Sequence, residues 1–255
     1  MDLGIRGKVA LVTGASSGIG EGVAMALAHE GVKLAVAARR RERLEDVARR
    51  AISQGASEAV AFTVEQRDAP SIANVVREVE KRLGPIGILV INGGGPKPGS
   101  YSEVRPEDWD QAYALTMRSA LGLVEAVLPG MRRARWGRIV ALTSVSVKEP
   151  IAGLVLSSAF RTGLIAALKT LATEVAPEGI TVNAIATGLV QTDRFRALYD
   201  TPAKREKALR QIPAGRVASP AEYAPLVAFL CGEPAGYVTG QTISIDGGLT
   251  AGLFG

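Results

Sequence analysis

Short apolar segments alternate with amphipathic segments of helical period along the whole chain, and this alternation constrains the fold more than any other feature. Strands are predicted at residues 9–13, 33–38, 59–64, 86–91, 138–143, 180–185 and 241–245. Helices are predicted at residues 20–30, 41–54, 71–83, 106–135, 158–176 and 221–230, and the long helix at 106–135 contains a turn-like Pro129-Gly130 near its end. Apolar strands that are joined by helices form a parallel sheet covered on both faces. The sequence therefore predicts an α/β fold, a doubly wound parallel sheet of about seven strands with helices on both faces.

The chain shows no sign of division into domains. Its 255 residues contain no Gly/Ser linker, low-complexity stretch or internal repeat, and 47% of them are hydrophobic. This is enough apolar material for one substantial core, so a single domain spanning residues 1–255 is predicted. Within it, the polar, arginine-rich residues 192–211 are predicted to form a mobile helical lid.

Charge and composition exclude several functional classes. The net charge of +5 attracts anions, but acids such as Glu42 are interspersed among the basic residues 39–43, and no nucleic-acid-binding motif accompanies them. No apolar stretch approaches the roughly 18 residues of a membrane span, and residues 1–12 are charged. Cys231 is the only cysteine, which excludes an intrachain disulfide and a cysteine-based zinc site. We therefore expect a cytoplasmic protein that binds no nucleic acid, membrane or metal.

A glycine-rich turn, Thr-Gly-Ala-Ser-Ser-Gly-Ile-Gly at residues 13–20, lies between the first predicted strand and the first predicted helix. Glycines in this context let the backbone turn tightly and approach a pyrophosphate, whose charge is met by the N–H groups at the start of the helix. The turn therefore predicts a dinucleotide site in a Rossmann-type sheet.

The end of the second predicted strand indicates which dinucleotide binds. NAD-binding sheets place an acid there, which accepts hydrogen bonds from the adenosine ribose. Here the strand ends in Ala38-Arg39-Arg40. A guanidinium can hold a 2′-phosphate through a forked, charge-assisted pair, so NADP(H) is predicted as the cofactor, with Arg39 as the main contact and Arg40 beside it.

Together with the glycine turn, further motifs make the chain resemble the short-chain dehydrogenase/reductase family over essentially its full length. These motifs follow successive predicted strands and are Asn92-Gly93-Gly94, Ser144, Asn183, Thr187-Gly188, Thr192 and Asp246-Gly247-Gly248. The resemblance implies Glu65 and Gln66 beside the adenine, residues 92–94 along the cofactor and residues 188–192 near the nicotinamide. It also implies a homo-oligomer, a tetramer or a dimer, and a small-molecule carbonyl or alcohol as the substrate.

Typical members of this family carry a catalytic asparagine, serine, tyrosine and lysine, of which this sequence keeps only the serine. The four positions fall on Thr116, Ser144, Ser157 and Arg161, and no Tyr-x-x-x-Lys pair occurs anywhere in the chain. The usual proline before Gly188 is also replaced, by Thr187. A serine hydroxyl is a far weaker acid than a phenol, and arginine cannot relay a proton as lysine does.

The residues at the replaced catalytic positions can still take part in an active site. Arg161 can donate hydrogen bonds to the nicotinamide ribose and stabilise a developing alkoxide. We predict catalytic roles for Ser144, Ser157 and Arg161; the alternative is that Ser157 and Arg161 have none. The predicted cofactor-binding residues are Gly14, Ser16, Ser17, Gly18, Ile19, Gly20, Arg39, Arg40, Glu65, Gln66, Asn92, Gly93, Gly94, Arg161, Gly188 and Thr192.

An active enzyme with these replacements needs a substitute proton donor. The candidates from the sequence are Tyr101, Tyr199, Lys97 and Lys148. His29, the only histidine, falls in the first predicted helix and is expected to be remote from the site. Arg194 and Arg196 in the predicted lid either meet an anionic substrate or face water.

Two functional hypotheses remain open. The first is an NADP(H)-dependent oxidoreductase with a non-standard proton donor. The second is a cofactor-binding homologue without dehydrogenase activity, which acts as a sensor or as the partner subunit of an active relative.

Overall fold

Seven parallel strands form one sheet within residues 1–253, the part of the chain that this computed structural model describes. The strands are β1 (Val9–Thr13), β2 (Lys33–Ala38), β3 (Glu58–Thr63), β4 (Ile86–Ile91), β5 (Gly137–Leu142), β6 (Ile180–Thr187) and β7 (Thr242–Ile245). They pair in the order β3-β2-β1-β4-β5-β6-β7. The strand order reverses between β1 and β4, and in such sheets a crevice for a ligand opens outside the carboxyl ends of the strands at that point.

Helices cover both faces of the sheet and bury its side chains in two layers. The helices are α1 (Gly18–His29), α2 (Arg41–Ser53), α3 (Ala69–Leu83), α4 (Pro106–Ala112), α5 (Ser119–Ala134), α6 (Val155–Val175), α7 (Asp193–Leu198), α8 (Pro202–Arg210) and α9 (Pro220–Leu230). One core lies beneath α1, α2 and α9. The other lies beneath α3, α5 and α6. The predicted fold class is thereby confirmed, and every predicted strand lies within two residues of its observed ends.

The long helix predicted at residues 106–135 is interrupted, but not where the sequence suggested. A π-helical segment, Tyr113–Arg118, joins α4 to α5. Pro129 and Gly130, which were expected to form a turn, lie inside α5. The buried side chains of Val127 and Met131 hold the helix on the sheet on both sides of the proline, so tertiary packing outweighs its lost hydrogen bond.

The helix predicted to begin near Ser158 begins three residues earlier, at Val155. Leu156 in its first turn is fully buried, which draws this apolar stretch onto the sheet instead of leaving it as a loop. The earlier start places Ser157 and Arg161 one helical turn apart on the buried face of α6.

The same helix meets the minimum length and hydropathy of a membrane span, which extends over residues Val155–Glu178. Core helices of water-soluble folds meet this criterion too. In this chain, residues spaced three and four apart, from Leu156 to Val175, are buried against the sheet, and Arg161 lies on that same face. These features are those of a helix that packs against protein.

Candidate active site

The glycine turn joins the end of β1 to the start of α1 and packs against the residue that follows β4. Gly14 and Gly18 have φ angles of 59° and 61°, in the left-handed region that favours glycine. A Cβ atom on Gly14 would lie 2.6 Å from the Asn92 carbonyl oxygen, and one on Gly20 would lie 2.6 Å from the Asn92 amide nitrogen. The turn therefore needs glycine for its conformation and also for its close approach to β4.

Hydrogen bonds tie the two strand ends together at the switch point. The Thr13 hydroxyl donates to the Asn92 carbonyl at 3.0 Å, and the Asn92 backbone N–H donates to the Thr13 hydroxyl at 2.9 Å. The Asn92 side-chain amide donates to the Gly14 carbonyl at 3.2 Å, and the Gln66 amide donates to the Asn92 carbonyl at 3.0 Å. Asn92 is thus the shared anchor of the glycine turn and of the loop after β4.

The start of α1 leaves its backbone amides open. Ser17 is the N-cap residue, but its side chain makes no capping hydrogen bond. Its hydroxyl and that of Ser16 instead accept from the Arg40 guanidinium, at 2.8 Å and 2.9 Å. The first N–H groups of a helix need a partner, and an anion at this position provides one.

The two arginines after β2 have different roles in the structure. Arg40 is held by the serines of the glycine turn, whereas Arg39 is exposed at the edge of the same cavity. The neighbouring Glu65 accepts a hydrogen bond from the Arg67 backbone N–H, which lowers the pKa of its carboxyl group. Arg67 also lines this end of the cavity, although it is not among the residues predicted from the sequence.

One cavity of about 1090 Å³ runs along the carboxyl ends of the strands. This volume lies slightly above the range of about 300–1,000 Å³ typical of small-molecule sites. The predicted residues that line it are Gly14, Ser16, Ser17, Gly18, Ile19, Arg39, Arg40, Glu65, Gln66, Asn92, Gly93, Gly94, Ser144, Ser157, Arg161, Gly188 and Thr192. The structure thus brings all but one of the predicted site residues to a single cavity.

The exception is Gly20, which is buried beneath the turn and does not line the cavity. Its role as a cofactor contact stays a prediction; in the structure, the close approach of Gly14 and Asn92 requires a residue without a side chain there. Thr116 also lies off the cavity. It is buried in the π-helical segment, and its hydroxyl has no hydrogen-bond partner within residues 1–253.

At the other end of the cavity, three serines form a connected group around β5 and α6. The Ser144 hydroxyl accepts from the Ser146 backbone N–H at 3.1 Å. The Ser146 and Ser157 hydroxyls lie 3.3 Å apart in a buried hydrogen bond. Ser146 was not predicted; its position in the short 3₁₀ turn Val145–Val147 after Ser144 is the only signal the sequence offers.

Arg161 is a buried cation beside these serines, with 8% of its surface exposed. Its Nη1 donates to the Leu142 carbonyl at 3.1 Å, whereas its Nε has no hydrogen-bond partner in the described chain. Burial, followed by the charge of Arg194, lowers the pKa of the Arg161 guanidinium to about 10; nearby Tyr223 acts in the opposite direction. Arg161 therefore stays protonated at neutral pH, with unused hydrogen-bonding capacity.

The four candidate proton donors are placed very differently. Tyr199 lines the cavity, and burial raises the pKa of its phenol. Tyr101 is 78% exposed and lies off the cavity, edge-on to Trp109. Lys97 is ion-paired with Asp108 at 2.9 Å, and neither it nor Lys148 lines the cavity. Tyr199 is the candidate that the geometry retains.

The proposed substrate end of the cavity, around Ser144, Ser157 and Arg161, distinguishes the two arginines of the predicted lid and includes Glu149, which the sequence did not single out. Arg194 lines the cavity and donates to the carbonyls of Gly95 and Pro96, whereas Arg196 is ion-paired with Asp193 on the exposed side of α7. Glu149 also lines it and accepts from the backbone N–H groups of residues 251 and 252.

A half-buried threonine of the cavity wall is hydrogen-bonded to a buried tyrosine. The Tyr223 hydroxyl, in α9, is 2.6 Å from the hydroxyl of Thr187 at the end of β6. Thr187 stands where the resemblance implied a proline, and its hydroxyl is what gives the buried phenol a partner. The replacement of that proline was visible in the sequence, but its link to Tyr223 required the fold.

No group of metal ligands occurs within residues 1–253. His29 is exposed at the end of α1, where its ring bonds the Met25 carbonyl, as expected for a residue remote from the site. Cys231 is buried, and burial raises the pKa of its thiol to about 12, so this thiol is unreactive at neutral pH.

Comparisons with known proteins match nearly the whole chain. The family model described as Enoyl-(Acyl carrier protein) reductase matches residues 14–250. The chain is 36% identical to the 3-oxoacyl-[acyl-carrier-protein] reductase FabG of Vibrio cholerae, over 97% of this chain and 99% of that protein.

The chain also resembles two solved structures. L-sorbose reductase from Gluconobacter frateurii, complexed with NADPH and L-sorbose, has a TM-score of 0.93 at 32% identity and covers 99% and 100% of the two chains. A short-chain dehydrogenase/reductase mutant from Serratia marcescens has a TM-score of 0.90 at 31% identity, over 98% and 100%.

Proposed function

Because the chain belongs to the short-chain dehydrogenase/reductase family, we propose that it reduces a small carbonyl compound with NADPH, or oxidises the corresponding alcohol, at Ser144, Ser157 and Arg161. The observation that carries this proposal is the buried, protonated Arg161 beside connected serines at one end of the cavity. This is a cationic, hydrogen-bonding site where a reacting oxygen gains negative charge.

The other end of the cavity fits the cofactor. The uncapped amides of α1 and the glycine turn at residues 14–18 suit the pyrophosphate, and exposed Arg39 suits the 2′-phosphate. Glu65 and Gln66 would adjoin the adenine, and residues 188–192 the nicotinamide. When bound, the nicotinamide supplies or accepts the hydride. Several solved structures that this chain resembles are of an NADPH-dependent reductase or contain NADPH.

Arg161 replaces the electrostatic part of the missing tyrosine–lysine pair. Its charge stabilises the oxygen as it becomes an alkoxide, and its guanidinium, which belongs to the wall of the cavity, would also donate to the nicotinamide ribose. The Ser157 and Ser144 hydroxyls orient the same oxygen through hydrogen bonds. Neither serine is acidic enough to supply the proton in this reaction.

Tyr199 is proposed as the proton donor. Its phenol lines the cavity, and its raised pKa keeps it protonated at neutral pH, as a general acid must be. It directly follows α7, in the predicted lid at residues 192–211, and it packs on Phe195 with ring centroids 5.0 Å apart. Lid closure would then bring the acid to the substrate, so that the reaction begins only after binding.

The test pairs NADPH oxidation across a panel of carbonyl compounds with a fluorescence titration of cofactor binding. We expect turnover of at least one panel member, and a fall in kcat of about 10²-fold or more in Tyr199→Phe with unchanged cofactor affinity. Tyr101→Phe is the matched control, because that phenol is exposed and off the cavity.

Two results would contradict this proposal. Tight NADPH binding without turnover of any panel member would favour a sensor or partner subunit instead of an enzyme. Full activity of Tyr199→Phe would remove Tyr199 as the acid while leaving the reductase intact.

We also propose that the protein is a homo-oligomer, a dimer or a tetramer. An aromatic cluster of Trp109, Tyr113 and Phe160 joins α4, the π-helical segment and α6, with ring centroids 5.8 and 5.9 Å apart, and Tyr113 is 43% exposed. Such an apolar outer surface suits contact with a second copy. Light scattering after gel filtration should give the mass of two or four chains, and a monomer would contradict the proposal.

A further inference from the structure

Two cations share the substrate end of the cavity without a carboxylate partner. Arg161 and Arg194 both line the cavity, and they lie close enough for their charges to interact. Within residues 1–253, neither guanidinium forms an ion pair with an acidic side chain, although most other arginines of the described chain do. The protein therefore leaves this pair of positive charges unneutralised.

Arg194 is held in place by the loop across the cavity. Its guanidinium donates to the Gly95 carbonyl at 3.3 Å and to the Pro96 carbonyl at 3.1 Å. A Cβ atom on residue 95 would lie 2.6 Å from the Arg194 Nε, so a larger residue there would make the guanidinium move from this position. This arrangement positions the cation and supplies no negative charge.

The arrangement is costly without an anion. Burial and the neighbouring charge both lower the pKa of Arg161, and partial desolvation lowers that of Arg194. A buried, unpaired cation with an unsatisfied N–H loses hydration that nothing in the described chain replaces. A carboxylate beside the exposed Arg194 and the buried Arg161 would offset their mutual repulsion and favour the charged form of both guanidinium groups.

The nearby acids do not fill this role. Glu149 accepts from two backbone N–H groups at the chain's end, and Asp193 is ion-paired with Arg196 and faces Arg43. The phosphates of the cofactor have separate partners at the far end, in Arg39 and the start of α1. The remaining source of an anion beside Ser144 and Ser157 is the substrate itself.

We propose that the substrate carries a carboxylate close to its reacting carbonyl, and that Arg161 and Arg194 bind this carboxylate. The substrate class is thus a short oxo acid. Its keto carbon takes a hydride from NADPH and its oxygen takes a proton, which yields a hydroxy acid and NADP⁺. Two planar guanidinium groups suit a carboxylate because each can donate two parallel hydrogen bonds. This inference rests on the proposed reductase function and specifies its substrate.

The first test measures binding without turnover. Calorimetric titration of the NADP⁺-saturated protein with malonate and with malonamide compares a dicarboxylate with an uncharged molecule of similar size. We expect malonate to bind at least about tenfold more tightly, and Arg194→Gln to remove about tenfold of that affinity, the loss of one charge-assisted hydrogen bond or more. Arg196→Gln is the matched control, because it removes an arginine from the same helix outside the cavity.

Three results would overturn the carboxylate site. These are the absence of malonate binding, equal affinities for malonate and malonamide, and an equal loss of malonate affinity in Arg196→Gln. NADPH affinity is measured in the same variants. A loss of NADPH affinity in Arg194→Gln as large as the loss of malonate affinity would show that the cation serves the cofactor, which also overturns the proposal.

The second test separates this inference from the reductase function. NADPH oxidation is followed with acetoacetate and with its ethyl ester, and the acid should have a kcat/KM at least about tenfold higher, a difference that Arg194→Gln should abolish. Equal turnover of acid and ester would keep the reductase and overturn the carboxylate site. Selective malonate binding with no turnover of either compound would keep the carboxylate site and overturn the reductase.

Discussion

The two ends of the cavity are built by different means. The nucleotide end, residues 14–20 with Arg39 and Asn92, is shaped by backbone: positive φ angles, missing Cβ atoms and open helix amides. The substrate end, around Ser144, Ser157, Arg161 and Arg194, is shaped by side chains and buried charge. Backbone geometry tolerates few changes, whereas a polar side chain can be exchanged if the charge of the site is balanced in another way.

This difference explains how one chain keeps the family's cofactor turn and loses most of its tetrad. Replacing a glycine of the turn would move β1 against β4, because Asn92 contacts both. By the sequence resemblance, Ser157 and Arg161 stand at the positions of tyrosine and lysine; they keep one positive charge, and under the proposed mechanism Tyr199 gives the proton instead. Under this proposal, the nucleotide end is common to the family, and the substrate end determines the reaction of this particular chain.

The largest expected effect is at the substrate end. Arg161→Gln removes the buried charge that stabilises the alkoxide, so kcat should fall by about 10²–10³-fold on the best substrate of the panel. NADPH affinity should change by less than about tenfold, because most cofactor contacts lie at the other end. Steady-state kinetics and fluorescence titration measure the two quantities separately.

Lys169→Gln serves as the control, since it removes a cation from the exposed side of the same helix, α6. An unchanged kcat in Arg161→Gln would mean that the Arg161 charge has no role in catalysis. It would also contradict the conclusion that buried charge shapes the substrate end.

The next effect is at the nucleotide end. Gly20→Ala places a methyl group against Gly14 and Asn92, and overpacking of this kind costs about 3 kcal/mol. If the turn shifts to relieve it, NADPH affinity should fall by about 100-fold. Titration with NADPH measures this loss, and thermal unfolding shows whether the strain is instead retained in the fold.

Gly122→Ala is the matched substitution, because a Cβ at that helical position meets only ordinary contacts and alanine is a better helix former. NADPH affinity in Gly20→Ala equal to that of Gly122→Ala would show that the turn is more adaptable than its geometry indicates.

The same contrast explains which parts of the fold and of the site could be predicted from the sequence alone. Strand periodicity and the glycine turn have local causes, so the sheet and the cavity residues from Gly14 to Thr192 were predictable. The start of α6 at Val155 was not, because tertiary burial of Leu156 decides it. Nor was the approach of Arg194 to Arg161, since these residues are far apart in sequence and only the fold places both on one cavity.

A smaller effect tests cofactor choice. Arg39→Asp replaces a cation at the 2′-phosphate position with an acid, and loss of a charge-assisted contact of about 2 kcal/mol weakens NADPH binding by about 30-fold. NADH binding should be retained or improved, because the new carboxylate can accept hydrogen bonds from the ribose. Arg41→Asp, which changes an exposed residue paired with Glu45, is the control. Equal affinities of the unmodified protein for NADPH and NADH would contradict the assignment of Arg39.

The smallest expected effect is a dependence on pH that arises at the substrate end alone. Because the pKa of Arg161 is lowered to about 10, its charge is lost as pH rises through that value. About half of the protein is then inactive at pH 10, and kcat/KM there should be about half its value at pH 8. Tyr199 contributes less to this loss, because burial raises the pKa of its phenol above the usual value. The amides that bind the pyrophosphate do not titrate, so NADPH affinity should stay level over the same range. In Arg161→Gln the residual kcat/KM should not change between pH 8 and pH 10, and the same twofold fall in that variant would assign the pH dependence to another group.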